Sequence, residues 1–140
     1  MRTELILVDT SIWIASLNRE GPSAIKSRLD RLLEENLIAT NQMIRLELLA
    51  GTRSQEEFNR LKGRLDSLHQ LQIGEAEWNQ AAELAFRQRR KGKTLPYGDI
   101  IIAATAIRNR ATLLHADHHF ELMTEEAGLV TEDLTALVHP

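Results

Sequence analysis

The run Leu5-Ile6-Leu7-Val8 stops abruptly at Asp9-Thr10-Ser11. Four consecutive apolar residues are too few for a helix and do not alternate, so they describe a strand buried on both faces. Such strands belong to parallel sheets covered by helices on either side. The polar triplet then marks the carboxyl end of the strand, where ligands collect in open parallel sheets. Leu37-Ile38-Ala39-Thr40 followed by Asn41, and Thr112-Leu113-Leu114 followed by His115-Ala116-Asp117, repeat the arrangement. Leu71-Gln72-Ile73 is a weaker strand candidate, and Leu129 to Thr131 reads as an edge strand.

Helical patterns fill the intervals. Ser11 is placed to cap a short helix reaching about Asn18, and after Gly21-Pro22-Ser23 the residues Ile25, Leu29, Leu32 and Leu33 share one helical face. Asn41 caps a helix carrying Met43, Leu46, Leu49 and Ala50, ended by Gly51. Ser54-Gln55-Glu56-Glu57 is a capping box, and the helix it opens places Phe58, Leu61, Leu65 and Leu68 at heptad-like spacing, with charges between them. Glu75 to Lys91 is amphipathic, with Trp78, Ala81, Ala82 and Ala85 facing inward and Gly92 as its stop. Pro96-Tyr97-Gly98 reads as a turn, and Asp99 opens a helix that is apolar nearly all round from Ile100 to Ile107, hence buried on several sides. A last helix is expected from Phe120 to Ala127, stopped by Gly128. Strands alternating with helices predict an α/β fold, a three-layer α/β/α sandwich around a central parallel sheet. The 140 residues contain no repeat or linker that would divide them, so residues 1–140 read as one domain.

Composition narrows the chemistry. The absence of cysteine excludes a disulfide scaffold, a thiol nucleophile and every thiolate metal site, and it fits a reducing cytoplasm. No apolar run reaches the ~20 residues of a membrane span. The start, Met1-Arg2-Thr3-Glu4 and four apolar residues, is too short and too acidic for a signal peptide. Aromatic residues are only 4%, which argues against a base-stacking surface. The net charge of −3 disfavours general nucleic-acid binding, but it is unevenly spread. Residues 111–140 hold six acids and no Lys or Arg, whereas Arg87, Arg89, Arg90, Lys91 and Lys93 make a basic stretch just upstream.

Asp9, the Thr40-Asn41 pair and Asp117 stand at strand ends, while Glu47 and Asp99 interrupt apolar helical stretches. Carboxylates beside a core are costly unless paired or bound to a metal ion. Asp9, Glu47, Asp99 and Asp117 come from four separate segments, and their convergence would suit Mg²⁺ or Mn²⁺, which take oxygen ligands and use substrate phosphate as a further one. Taken singly, each acid has an ordinary reading. Asp9 and Asp99 suit helix caps, Glu47 suits a salt bridge to Arg45 or Arg53, and Asp117 suits a turn.

Asp9-Thr10-Ser11-x-Trp13, Glu47-Leu48-Leu49-Ala50-Gly51, Asp99-Ile100-Ile101-Ile102-Ala103-Ala104 and Leu114-His115-Ala116-Asp117-His118-His119-Phe120, taken in order, resemble the PIN-domain family. The resemblance is strongest to its VapC branch, the ribonucleases of type II toxin–antitoxin pairs. It covers nearly the whole chain and implies a PIN-like sandwich with a Mg²⁺- or Mn²⁺-dependent endoribonuclease site. Carried over by position, Asp9 and Asp99 are the principal metal ligands and Asp117 is a further ligand or water-binding acid. Glu47 orients water at the ion, and Thr10 and Ser11 match small hydroxyl residues after the first acid. His115 stands where many relatives have Thr or Ser. The resemblance also implies an RNA substrate, a cognate VapB-like antitoxin and a homodimer. Exposed residues of Arg53 to Leu68 offer one surface for an antitoxin helix. A PIN-like module that binds RNA or a partner without cutting is the competing implication.

The basic stretch Arg87 to Lys93 has two compatible readings: RNA phosphate contacts beside the acidic site, or cations complementing a helix C-terminus. His115, Asp117, His118 and His119 suggest zinc, but adjacent His118 and His119 do not easily point at one ion, which favours histidines at the surface with His115 lining the site. A haloacid-dehalogenase-type pattern would need Asp-x-Asp, and Ser11 stands two residues after Asp9. A receiver-type arrangement of acids and lysine is not met either.

Overall fold

The computed structural model describes residues 4–126 and 128–140. In chain order these form β1 (Ile6–Val8), α1 (Thr10–Leu17), α2 (Ser23–Glu34), β2 (Ile38–Thr40), α3 (Gln42–Ala50), α4 (Gln55–Asp66), β3 (His69–Gln70), α5 (Glu75–Arg90), α6 (Tyr97–Asn109), β4 (Thr112–His115), α7 (His118–Glu121), β5 (Thr131–Asp133) and α8 (Thr135–Val138). The sheet has five strands in the order β3-β2-β1-β4-β5, and every pairing is parallel. Ile6 lies opposite both Ile38 and Thr112, so the three central strands end level with one another. Right-handed crossovers then put the helices leading to β2 and β3 on one face and those leading to β4 and β5 on the other, giving the three layers.

Burial explains the central strands. Leu7, Val8, Ala39, Leu113 and Leu114 are fully buried, as a sheet with two covered faces requires. α6 packs on α5 and on the sheet and is buried from Asp99 to Ala106, so its lack of a polar face is the consequence of having neighbours all round. Asn41 caps α3 by accepting from the Ile44 amide at 2.9 Å, and its amide nitrogen donates to Thr105 Oγ1 of α6 at 3.2 Å. That buried bridge joins the two helices that carry Glu47 and Asp99.

Several local expectations change. The cap of α1 is Asp9 rather than Ser11. In α3 the buried face is Ile44 and Leu48, leaving Leu46 61% exposed, because α3 turns that side away from the sheet. At Ser54 the first half of the capping box forms, with its hydroxyl accepting from the Glu57 amide, but Glu57 bonds the Arg53 amide instead of returning to Ser54. α4 buries Leu65 alone, with Leu61 and Leu68 partly covered. The strand expected at 71–73 lies earlier, at His69–Gln70, where it pairs with Ala39 and Thr40.

α5 turns Ala81, Leu84 and Gln88 inward, which leaves Trp78, Ala82 and Phe86 as a second stripe at i, i+4, i+8 facing outward. Pro96 occupies the position before α6 and Tyr97 already begins it, so Asp99 is a first-turn residue and not the cap. The edge strand sits at 131–133, two residues later than expected. α7 spans only His118–Glu121, followed by turns, and Ala127 lies outside the described residues, as do Met1 to Thr3. No helix among the described residues is long and apolar enough to cross a membrane.

Candidate metal centre

β1 and β4 are neighbours, but the chain leaves β1 towards β2 and leaves β4 towards β5. Their connections diverge, and a crevice opens above the carboxyl ends. Asp9 follows β1 and Asp117 follows β4, so both stand at its edge. α6 brings Asp99 from its first turn and α3 brings Glu47 from its middle.

Each side chain is held by local chemistry. Asp9 is 3% exposed; its Oδ2 accepts the Ser11 amide at 3.0 Å and the Ser11 hydroxyl at 2.5 Å. That hydroxyl in turn accepts the Ala116 amide at 3.0 Å, tying the loop after β1 to the loop after β4. The Thr10 hydroxyl donates to Glu47 Oε1 at 2.6 Å, and Arg45 pairs with Asp66, so neither expected salt bridge of Glu47 forms. Asp117 caps α7 by accepting the His119 amide at 3.0 Å. His119 Nδ1 then lies 2.8 Å from Asp99 Oδ2 and 3.2 Å from Asp117 Oδ1, linking two of the acids. A Cβ on Gly98 would stand 3.3 Å from Glu47 Oε2 and 3.1 Å from the Met43 methyl, so the glycine lets the start of α6 approach α3 closely.

The four acids affect one another. Burial pushes the Asp9 and Glu47 carboxyls above their ordinary range, and burial raises Asp99 to about 6. The Asp117 charge adds to all three rises, and the Asp9 charge adds to those of Glu47 and Asp99. Hydrogen bonds from Ser11, Thr10 and His119 oppose the rise at Asp9, Glu47 and Asp99 respectively. Among the described residues no Lys or Arg forms an ion pair with any of the four. Carboxylates gathered without a Lys or Arg paired to them among the described residues fit a hard divalent ion, whose charge would relieve both desolvation and mutual repulsion.

The histidines separate into two groups. His115 is fully buried and does not line the crevice: Nε2 lies 2.7 Å from Glu121 Oε2, while Nδ1 accepts the Asp117 amide at 3.2 Å. Nδ1 therefore carries the lone pair and Nε2 the proton, and Glu121 also accepts from the Thr131 hydroxyl at 3.0 Å. The ring supports Asp117 from below. Asp117, His118 and His119 lie together, whereas His115 lies with Glu121 and Asp133, so the four residues weighed for zinc do not meet at one point.

The basic stretch is largely engaged elsewhere. Arg87 pairs with Glu126 at 3.0 Å, and Lys91 and Lys93 share Glu125 at 3.1 and 3.4 Å. Arg89 donates to the Tyr97 hydroxyl at 2.7 Å, and the Arg90 guanidinium lies 5.8 Å from the centre of the Phe86 ring.

Fold and site together define a parallel α/β domain with a carboxylate pocket, suited to a divalent ion, at its switch point. A family model of the PIN domain matches residues 6–126. Ribonuclease VapC11 of Mycobacterium tuberculosis is 32% identical over 130 residues, covering 89% of this chain and 96% of its own, and Ribonuclease VapC21 of the same species is 31% identical over 124 residues, covering 86% of each. Among solved structures, the VapBC2 complex of Rickettsia felis bound to a DNA fragment from its promoter matches with a TM-score of 0.76 and 22% identity, over 92% of this chain and 98% of that one. VapBC-1 of nontypeable Haemophilus influenzae matches with a TM-score of 0.74 and 21% identity, over 94% and 98%. The chain belongs to the PIN-domain family and is VapC-like.

Sequence reading had assigned no partner to two features of this site. Thr10 reaches Glu47 across 37 residues, and His119 bridges Asp99 and Asp117. Only the polar residue directly after Asp9 hinted at the first; nothing in a His-His pair specifies which ring turns inward.

Proposed function

We propose that this chain is a divalent-metal-dependent endoribonuclease, the toxin of a type II toxin–antitoxin pair, which hydrolyses RNA phosphodiester bonds at the acidic site. The observation that carries the reading is the convergence of Asp9, Glu47, Asp99 and Asp117 at the β1–β4 switch point with, among the described residues, no Lys or Arg paired to them. The curated relatives named as VapC ribonucleases support the reaction class.

Asp9, Asp99 and Asp117 would hold Mg²⁺ or Mn²⁺, with Glu47 beside them. When bound, the ion supplies positive charge to the scissile phosphate and acidifies water. The protein's own groups then have distinct tasks. Ser11 fixes the Asp9 carboxylate against the β4 loop, and Thr10 fixes Glu47 through Oε1. The raised pKa of Glu47 suits it to orient the attacking water and take up its proton. Arg89 and Arg90, which pair with rings and not with the acids around Glu125, are the members of the basic stretch best placed to meet RNA phosphates, with Arg87, Lys91 and Lys93 adding to the local field.

A VapB-like antitoxin is the inhibitory partner, a reading supported by structural neighbours that are toxin–antitoxin complexes. The mostly exposed helix α4 is one surface available to it. A second copy of the chain covers the apolar face made by Leu46, Trp78, Phe86 and Tyr97, each more than half exposed. Light scattering on a Trp78→Glu, Phe86→Glu double variant tests this; an unchanged mass from a dimeric wild type would reject that face. The place of action is the cytoplasm.

Cleavage of total RNA with Mg²⁺, Mn²⁺ or EDTA is the direct test. Wild type is expected to cut with either ion and to stop with EDTA, while Asp9→Asn and Asp99→Asn lose at least ~100-fold, the usual size for removing preorganised charge at a reacting centre. Cleavage by both variants at the wild-type rate would end the nuclease reading, and RNA binding without cleavage by wild type would favour a binding module. In the same preparations Arg89→Ala with Arg90→Ala should weaken RNA binding and flatten its salt dependence.

A further inference from the structure

Among the described residues His119 is the imidazole that bridges two members of the acid set. Its Nδ1 lies 2.8 Å from Asp99 Oδ2 and 3.2 Å from Asp117 Oδ1. Neighbouring ligands on an octahedral ion at ~2.1 Å stand about 3 Å apart. Nδ1 therefore already stands at the spacing of adjacent ligands from one oxygen of Asp99 and from one oxygen of Asp117. The placement is built in by the chain: Asp117 caps α7 through the His119 amide, which sets the ring over the crevice, while the side chain of His118 is 75% exposed and its Nδ1 stays at 3.7 Å from Asp117 Oδ1. The His119 side chain is 31% exposed, so it forms part of the rim and has room to shift on binding.

We propose that His119 is a metal ligand through Nδ1, making this a mixed carboxylate–imidazole site that favours Mn²⁺ over Mg²⁺. Imidazole suits transition-metal ions, whereas Mg²⁺ prefers carboxylates and water. The inference rests on the reading of the crevice as a metal centre. In the ion-free protein Nδ1–H donates to Asp99; towards an ion the ring presents the Nδ1 lone pair, with its proton on Nε2.

The test uses the full chain loaded with Mn²⁺. Electron spin echo spectroscopy should show ¹⁴N modulation from one directly bound imidazole in wild type and in His118→Ala, and none in His119→Ala. Competition between the two ions, read by the Mn²⁺ signal, should show the Mn²⁺-to-Mg²⁺ affinity ratio falling about tenfold in His119→Ala and in His119→Gln. Mn²⁺ bound without nitrogen coupling in wild type, coupling that survives His119→Ala, or an unchanged affinity ratio would each overturn the assignment. Asp99→Asn separates the two levels of the argument. If wild type binds Mn²⁺ and Asp99→Asn does not, the metal centre stands whatever the nitrogen signal shows. If wild type binds no Mn²⁺, the metal-centre reading itself falls and takes this inference with it. Nitrogen-coupled Mn²⁺ in a protein that cuts no RNA would retain the ligand and remove the nuclease.

Discussion

Two groups of carboxylates in this protein have opposite electrostatics. Asp9, Glu47 and Asp99, with Asp117 beside them, face one another at the switch point, and the first three are pushed up, Asp99 to about 6. Glu125 and Glu126 instead face α5. Glu125 is held down at about 2 by backbone hydrogen bonding and by Lys91, and the buried carboxylate of Glu126 accepts from both Arg87 and Gln88. The residue types are the same, and neither group is far from a helix. The difference lies in what faces them. Acids matched by cations and amides close α5 onto the chain segment after α7, whereas the acids matched mainly by one another have no compensating Lys or Arg among the described residues.

Substitutions that neutralise one acid in each group should therefore move stability in opposite directions. The largest change is expected at Glu126: Glu126→Ala removes the carboxylate that Arg87 and buried Gln88 share, leaving Gln88 Nε2 only its 3.3 Å contact with Glu125, and should cost about 1–3 kcal/mol in chemical denaturation, the usual size for losing hydrogen bonds to a charged group. A loss below ~0.5 kcal/mol would show that this pairing is incidental.

Asp99→Asn should act the other way in the ion-free protein. A carboxyl whose folded pKa lies above its unfolded value binds more protons when folded, so its ionisation costs stability. That cost is absent below about pH 4 and develops as pH rises through about 6. Removing it should raise Tm by a few degrees at pH 7.5 and leave it unchanged near pH 4, and melting curves in EDTA at the two pH values check this. Depressed Glu125 behaves conversely, contributing above pH 4.5 and losing that contribution as pH falls towards about 2. A fall in Tm for Asp99→Asn at pH 7.5 would place Asp99 among the structural acids. The smallest effect is expected from Gly98→Ala, whose Cβ presses on Glu47 and Met43. It should lower kcat severalfold with little change in Tm, and a comparable loss of stability would show that the contact serves packing alone.

Much of this was visible in the chain. The strands at 6–8, 38–40 and 112–115 were legible because a strand buried on both faces must be a short apolar run, and a polar residue after it has nowhere to go but the sheet end. The same logic, with the resemblance to PIN domains, singled out the four acids. Less legible was which side of an amphipathic helix is buried. Trp78 and Leu46 read as core residues by type, yet both face outward because α5 meets α6 through Ala81 and Leu84, and α3 meets the core through Ile44 and Leu48. The basic stretch looked like one feature in the sequence, but Glu125 and Glu126, more than 30 residues away, divide it into paired and unpaired members.

Sequence alone determined the elements and the polar groups that had to lie beside the core, since hydrophobic periodicity and the cost of burying charge act locally. The strand order β3-β2-β1-β4-β5 was decided only in three dimensions, and with it the meeting of Asp9 and Asp117 beside α3 and α6. Tertiary structure also decided which charges would be neutralised: Lys91 and Arg87 went to Glu125 and Glu126, while His119 reached both Asp99 and Asp117 in the crevice. The reason is distance. Pairing energies fall off within a few ångströms, and no spacing along the chain states which distant residues folding will bring within that range.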